Sequence, residues 1–245
     1  MSLFLINTLK IIFMLGFLIF IHEGGHFTVA KLCKVKVNEF AIGFGPTIWK
    51  RQGKETKYAL RAIPLGGFVS MEGEDEDSEN ERSFSKASIP KRIAIVAAGA
   101  IVNIIFGLLV YFILVAVVYK NIPLAFEATG SFMVELVNSI KMLFTGHVGI
   151  DDMSGPVGIS GIVAQTTTFI NYIYIIAIIS ISLGITNLLP IPALDGGKIL
   201  ILLIEAIRRK PLNKELEVQM QLIGFSILIA LSLIVTYNDI LRITK

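Results

Sequence analysis

The sequence predicts an all-α, multi-pass membrane protein with about four transmembrane helices, a short membrane-associated β region after the first span, and a broken third span. Three observations carry that expectation. Of the 245 residues, 54% are hydrophobic and only 17% charged, with a mean hydropathy of +0.73; a soluble domain carries about a quarter charged residues. Four stretches, 3–32, 93–119, 162–190 and 220–237, approach or exceed the ~20 mostly apolar residues that cross a hydrocarbon core. The third runs into "NLLPIPALDGG" at 187–197, where two prolines and a glycine pair break an apolar run that then resumes. Irregular backbone at membrane depth is tolerated only where protein buries it or it lines a cavity.

The first span, 3–32, is uncharged from Ile11 to Ile21 and then reads "HEGGH". It lacks a cationic start and a small-residue cleavage site, so it is expected to stay in the protein as a span. Residues 35–69 read as short strands, with "QGKE" as a turn between "TIWKR" and "KYALRA". Gly43, Gly45, Gly66 and Gly67 fall inside these strands, where glycine marks a turn or the close approach of another backbone. "EGEDEDSENER", 72–82, is expected to be a solvated, mobile acidic loop.

Beyond the second span, 131–144 places Phe132, Leu136, Ile140 and Leu143 or Phe144 on one face. That pattern predicts an amphipathic helix lying on the outer membrane surface. The loop from Lys31 to Arg92 holds 12 of the 22 Lys and Arg residues, and Lys198–Lys214 holds five more. Cation-rich loops stay cytoplasmic, so both termini and the 120–161 loop are expected outside. The chain is read as one domain, 1–245. Its net charge of +3 gives no reason to expect nucleic acid. A lone cysteine, Cys33, excludes an internal disulfide framework.

Chemistry concentrates in His22-Glu23-Gly24-Gly25-His26, an H-E-x-x-H pattern that uses two of the three histidines. On a helix, His22 and His26 lie one turn apart on one face and can bind one metal, with Glu23 beside them as a base. Ionisable groups inside a span are costly and so point to a site. A catalytic zinc takes three protein ligands and keeps one open position. The candidates for the third are His147, Asp151, Asp152 and Asp195. Only Asp195 shares a depth with the histidines, each lying several residues before a cytoplasmic boundary, so Asp195 is the expected ligand. Two histidines and a carboxylate suit zinc, although iron also uses that set.

With these residues in place, the sequence resembles the site-2 protease family of intramembrane metalloproteases, most closely its RseP-like bacterial branch. The matching pieces are "HEGGH", "GFG" at 43–45, "IPLGGFV" at 63–69, "AAGAIVN" at 97–103, "SGPVGI" at 154–159 and "NLLPIPALDGG". They run in family order along nearly the whole chain. The resemblance implies that His22, His26 and Asp195 bind Zn2+ and that Glu23 is the general base. It implies substrate binding at Gly43, Phe44, Gly45, Gly66 and Gly67, by strand addition, and at Asn187 and Pro190 of the N-x-x-P motif. It further implies cleavage within transmembrane segments of single-span proteins, such as an anti-sigma factor or a signal-peptide remnant, in a bacterial cell (inner) membrane with the site toward the cytoplasm. RseP-like members carry PDZ domains in the outer loop. Here the 120–161 loop is too short for one beside its helix, so a PDZ domain is expected to be either naturally absent or removed near 120–130. The rival readings are a metal-ion transporter, which would repeat charged groups along a path, and a catalytically inactive membrane binding protein.

Overall fold

The computed structural model describes residues 3–74, 76, 78–145 and 154–244. It is mostly helical, with a small antiparallel sheet after the first helix. Four of its helices, Leu3–Leu32, Ile89–Tyr119, Phe169–Asn187 and Glu215–Arg242 in the last one, are long and apolar enough to cross a membrane. The chain divides into two compact units, Met1–Ile105 with Ser180–Gly224, and Phe106–Ile179 with Phe225–Lys245.

The first unit opens with α1, Leu3–Leu32. Lys34 adopts φ 64°, and Val35 N donates to Ala30 O at 2.9 Å while Lys34 N donates to Lys31 O at 3.0 Å. This is a Schellman close, in which a left-handed residue satisfies the last carbonyls of the helix. The reversal delivers the chain into β1, Val37–Gln52, which pairs antiparallel with β2, Lys57–Met71. Both strands bend. Phe40 therefore pairs with Val69 and also with Tyr58, and Ile42 with Gly67 and also with Leu60. Residues 67–71, by contrast, pair only with 37–42 among the described residues. Gly43 and Gly45 make the bend in β1 at φ 88° and 80°, a region that other residues enter only with strain. Phe44, Ile48, Trp49, Leu60 and Ile63 are exposed on this sheet, which suits contact with a membrane interface.

Ala30, Val35, Val37, Phe40, Val69, Met71, Phe84, Ile95, Val96 and Leu202 form a buried core that welds the end of α1 and the sheet to α2, Ile89–Tyr119, and α6, Asp195–Arg208. The acidic segment is tied down more than its composition suggests. Glu72 accepts from Lys36 at 3.0 Å, Asn38 at 3.1 Å and Ser78 at 2.6 Å, and Glu74 pairs with Lys198 at 2.6 Å. The free, solvated loop expected at 72–82 is thus corrected at Glu72, Glu74 and Ser78; Asp75 and Asp77 lie outside the described residues. Between the strands, Lys31 and Arg82 hold the Glu55 carboxyl down to about 2. A depressed carboxylate stabilises fully above its unfolded value, so this clasp persists at neutral pH and is lost as pH falls from about 4.5 toward 2.

In the second unit, α3 covers Ile122–Phe144, capped by Asn121, whose side chain accepts from Leu124 N at 3.0 Å. It begins earlier than the expected 131. Phe132, Leu136 and Ile140 are half-buried while their neighbours on the helix are exposed. Tyr111 stacks on Phe132 at 4.7 Å. No PDZ domain occupies this interval among the described residues. Next comes α4, Pro156–Ala164, separated by 165–168 from α5, Phe169–Asn187. Within this unit, Asp239 of the last helix, α7 (Lys214–Thr244), accepts from Gly155 N at 2.9 Å and Gly158 N at 2.8 Å. An anion at a helix N-terminus satisfies donors that the helix cannot. Any side chain at Gly155 or Gly158 would meet that carboxylate, which explains the glycines of "SGPVGI".

Candidate metal centre

The site is built from α1, α2 and α6 of the first unit. His22 and His26 stand one turn apart on α1, each only 9% exposed. Gly25, on the same helix, lets α2 approach so closely that a Cβ there would lie 2.7 Å from Ala98 O. Gly99 of α2 leaves room for the His26 ring, which any side chain would strike. The two motif glycines therefore have different duties. Gly25 sets the helix spacing, and Gly24 has open space beside it.

Asp195 arrives from the far end of the chain. The loop 188–194 after α5 folds tightly, with Ile191 N donating to Leu189 O at 2.7 Å and Ala193 at φ 77°. It wraps so close under the start of α6 that a Cβ on Gly197 would lie 2.7 Å from the Ile191 carbonyl carbon. Both glycines of "LDGG" are thus forced by packing, and they hold Asp195 at the first turn of α6. A carboxylate there is favoured by the helix dipole.

Three ligand atoms converge. His22 Nε2 lies 3.1 Å from His26 Nε2, and Asp195 Oδ2 lies 3.2 Å and 3.5 Å from the two nitrogens. Although so near them, Asp195 Oδ2 is buried without a satisfying hydrogen bond. Ligand atoms bound to a tetrahedral zinc at ~2.0–2.1 Å sit roughly 3.3 Å apart, so the set fits that ion. The other ring nitrogen of His26, Nδ1, is 2.9 Å from Ile95 O, an acceptor that favours the proton on Nδ1 and leaves Nε2 able to bind a metal. His22, His26 and Asp195 form a metal-capable group among the described residues. His147, Asp151 and Asp152, the other candidates for third ligand, lie outside the described residues.

Glu23 is half-buried beside the histidines, within electrostatic range of His22, His26 and Asp195. The sheet reaches it directly, since a Cβ on Gly67 would lie 3.0 Å from Glu23 Cγ. Of the other residues expected to bind substrate, Gly66 takes φ 101° beneath the Phe44 ring, and Phe44 is 48% exposed. Gly43 and Gly45 shape the neighbouring bend. Asn187 ends α5 and Pro190 sits in the loop leading to Asp195. Two features were not read from the sequence. They are the Ile95 carbonyl behind His26 and Asn103, whose side-chain Nδ2 is 3.4 Å from His22 Nδ1. The sequence signals for Asn103 are an amide inside an apolar span and its place at the end of the matching stretch "AAGAIVN".

The chain is similar to a Clostridium acetobutylicum protein named as a candidate zinc metalloprotease, 31% identical over 96% of this chain and 97% of the relative. It is 26% identical to the zinc metalloprotease RasP of Bacillus licheniformis, over 97% of this chain and 99% of the relative. It is also 26% identical to the regulator of sigma-W protease RasP of Bacillus subtilis. The two RasP alignments extend over 415 and 418 positions against 245 residues here, so those relatives carry long segments that this chain lacks. The pattern of peptidase family M50 matches residues 10–231. The chain belongs to peptidase family M50, the site-2 protease family that its motifs resemble.

Proposed function

We propose that this chain is a zinc endopeptidase that cleaves peptide bonds within transmembrane segments of other membrane proteins. The observation that carries the proposal is the convergence of His22 Nε2, His26 Nε2 and Asp195 Oδ2 within 3.1–3.5 Å, with both histidines on a helix apolar enough to span a bilayer. His22, His26 and Asp195 hold the ion. When bound, zinc supplies Lewis acidity, polarising the scissile carbonyl and lowering the pKa of water toward ~7. Glu23 takes the proton from the attacking water as its oxygen bonds to the carbonyl carbon. The same carboxyl then delivers that proton to the departing amine nitrogen as the C–N bond breaks. A transmembrane substrate must first unwind, because a helix ties up its peptide groups in its own ladder.

The sheet supports a way to hold the unwound segment. Residues 67–71 have one strand partner among the described residues, so their other edge can take an extended peptide through main-chain bonds, beside Glu23. On this reading Gly67→Ala crowds Glu23 and Ala41 O, both 3.0 Å from the new Cβ. Overpacking of that order costs 1–3 kcal/mol, so cleavage should fall about tenfold or more while zinc content and expression hold. Alanine at Gly43, Gly45 or Gly66 meets positive φ as well and should also lower expression. A well-expressed Gly67→Ala or Gly67→Pro variant cleaving at the wild-type rate would remove the strand-addition role.

The cation-rich segments support a site toward the cytoplasmic side, with both termini outside. The substrates are single-span proteins, an anti-sigma factor or a signal-peptide remnant being the kinds that the resemblance favours. The test is metal removal. The chain is reconstituted in vesicles with a single-span reporter and treated with a chelator. Cleavage should stop, and zinc alone should restore it. Cleavage that persists after complete metal removal contradicts the proposal.

A further inference from the structure

Asn103 lies in "AAGAIVN" at the middle of α2, within a helix long and apolar enough to span a membrane, and it is 0% exposed. An amide is costly to place there unless something uses it. Its backbone oxygen accepts from Ser180 Oγ of α5 at 2.8 Å, and Ser180 is likewise 0% exposed. Its side chain faces the back of His22, with Nδ2 3.4 Å from His22 Nδ1, and its Oδ1 makes no hydrogen bond. The two metal-facing histidines are therefore treated alike. His26 has a carbonyl behind its Nδ1 at 2.9 Å, and His22 has an amide.

We propose that Asn103 is a positioning residue whose amide oxygen accepts the Nδ1 proton of His22 and so presents His22 Nε2 to the metal. The inference rests on the zinc site proposed above. A histidine that binds metal through Nε2 carries its proton on Nδ1, which then needs an acceptor. An NH2 facing that N–H would set donor against donor. The terminal torsion of asparagine is roughly two-fold, and half a turn exchanges an orphaned oxygen for a bonded one. The anchor from Ser180 holds the α2 backbone while the amide turns. Two acceptors of different origin, one backbone and one side chain, then fix both rings in the same tautomer.

The competing role for a buried asparagine in a membrane helix is to bond neighbouring helices. That role would move stability and leave the zinc affinity of folded protein unchanged. The test uses the full chain in detergent, with zinc affinity measured by chelator competition on the folded fraction. Asn103→Leu removes the acceptor at similar volume and should weaken zinc binding by about 10- to 100-fold. Asn103→Asp keeps an acceptor and should hold zinc at least as tightly as wild type. If Asn103→Leu does not fold, Asn103→Ala is read in the same way. Wild-type affinity in the leucine or alanine variant overturns the proposal, as does equal weakening in the aspartate variant. If wild type holds no zinc, or His22→Ala holds it unchanged, the zinc site itself fails and this proposal falls with it.

Discussion

Glu23→Gln should abolish cleavage and leave zinc bound at the wild-type level. Glutamine keeps the length and shape of the side chain, so the contact with the sheet at Gly67, where a Cβ would lie 3.0 Å from Glu23 Cγ, is preserved. What is lost is the carboxyl proposed to take the proton from water and return it to the amine. General acid–base work contributes roughly 10²–10⁴-fold, and on the proposed mechanism one carboxyl performs both transfers, so a loss at or beyond the upper end is expected. Zinc content should be unchanged because Glu23 is not among His22, His26 and Asp195, the group able to hold the ion. Cleavage of a single-span reporter and metal analysis of the same preparation check this. Loss of zinc together with activity would make Glu23 a ligand instead.

Asp195→Ala should strip the metal. Its Oδ2 lies 3.2 Å and 3.5 Å from the two ring nitrogens and is buried without a hydrogen bond. Removing it leaves two histidines, short of the three protein ligands of a catalytic zinc. Changes behind the ligands already cost 10–100-fold in affinity, so loss of a ligand should exceed that. A matched control is Asp239→Ala. Asp239 is also buried, 2% exposed, but accepts from Gly155 N and Gly158 N in the other unit. That variant should loosen α4 and keep its zinc. His147→Ala and Asp151→Ala should keep it as well. Zinc retained by Asp195→Ala, or lost from His147→Ala, would place the third ligand elsewhere.

Much of this molecule is legible in its sequence because the bilayer imposes length and composition on whatever crosses it. The first and second spans follow from unbroken apolar runs, and the β region follows from alternation and glycine. The third span was less legible. Hydropathy runs on through 162–168, but Thr166 Oγ1 bonds Val163 O at 2.6 Å and Thr168 Oγ1 accepts from Asn171 N at 3.2 Å. These threonines end α4 and start α5, and an apolar window does not register them. Acidity at 72–82 suggested solvent, yet Glu72 and Glu74 find cations on β1's approach and on α6. Composition cannot report such distant partners.

The candidate site divides in the same way. His22, Glu23 and His26 are close in sequence and their spacing on a helix brings them together. Asp195 needed an argument from depth. Asn103 lies in a stretch that matches the family, but its link to His22 was not legible, because it spans 81 positions and depends on how α1 packs on α2. Gly99 and Gly25 set that packing, and a glycine in an apolar span looks the same whether or not a ring lies over it.

The central claim is that peptide bonds are hydrolysed inside the membrane. The most direct measurement is mass-spectrometric mapping of the products of a single-span reporter reconstituted with the zinc-loaded chain. The account predicts two fragments that meet within the reporter's transmembrane segment, absent with Glu23→Gln. An intact reporter with zinc moving across the vesicle wall, or cuts only outside the span, would contradict it.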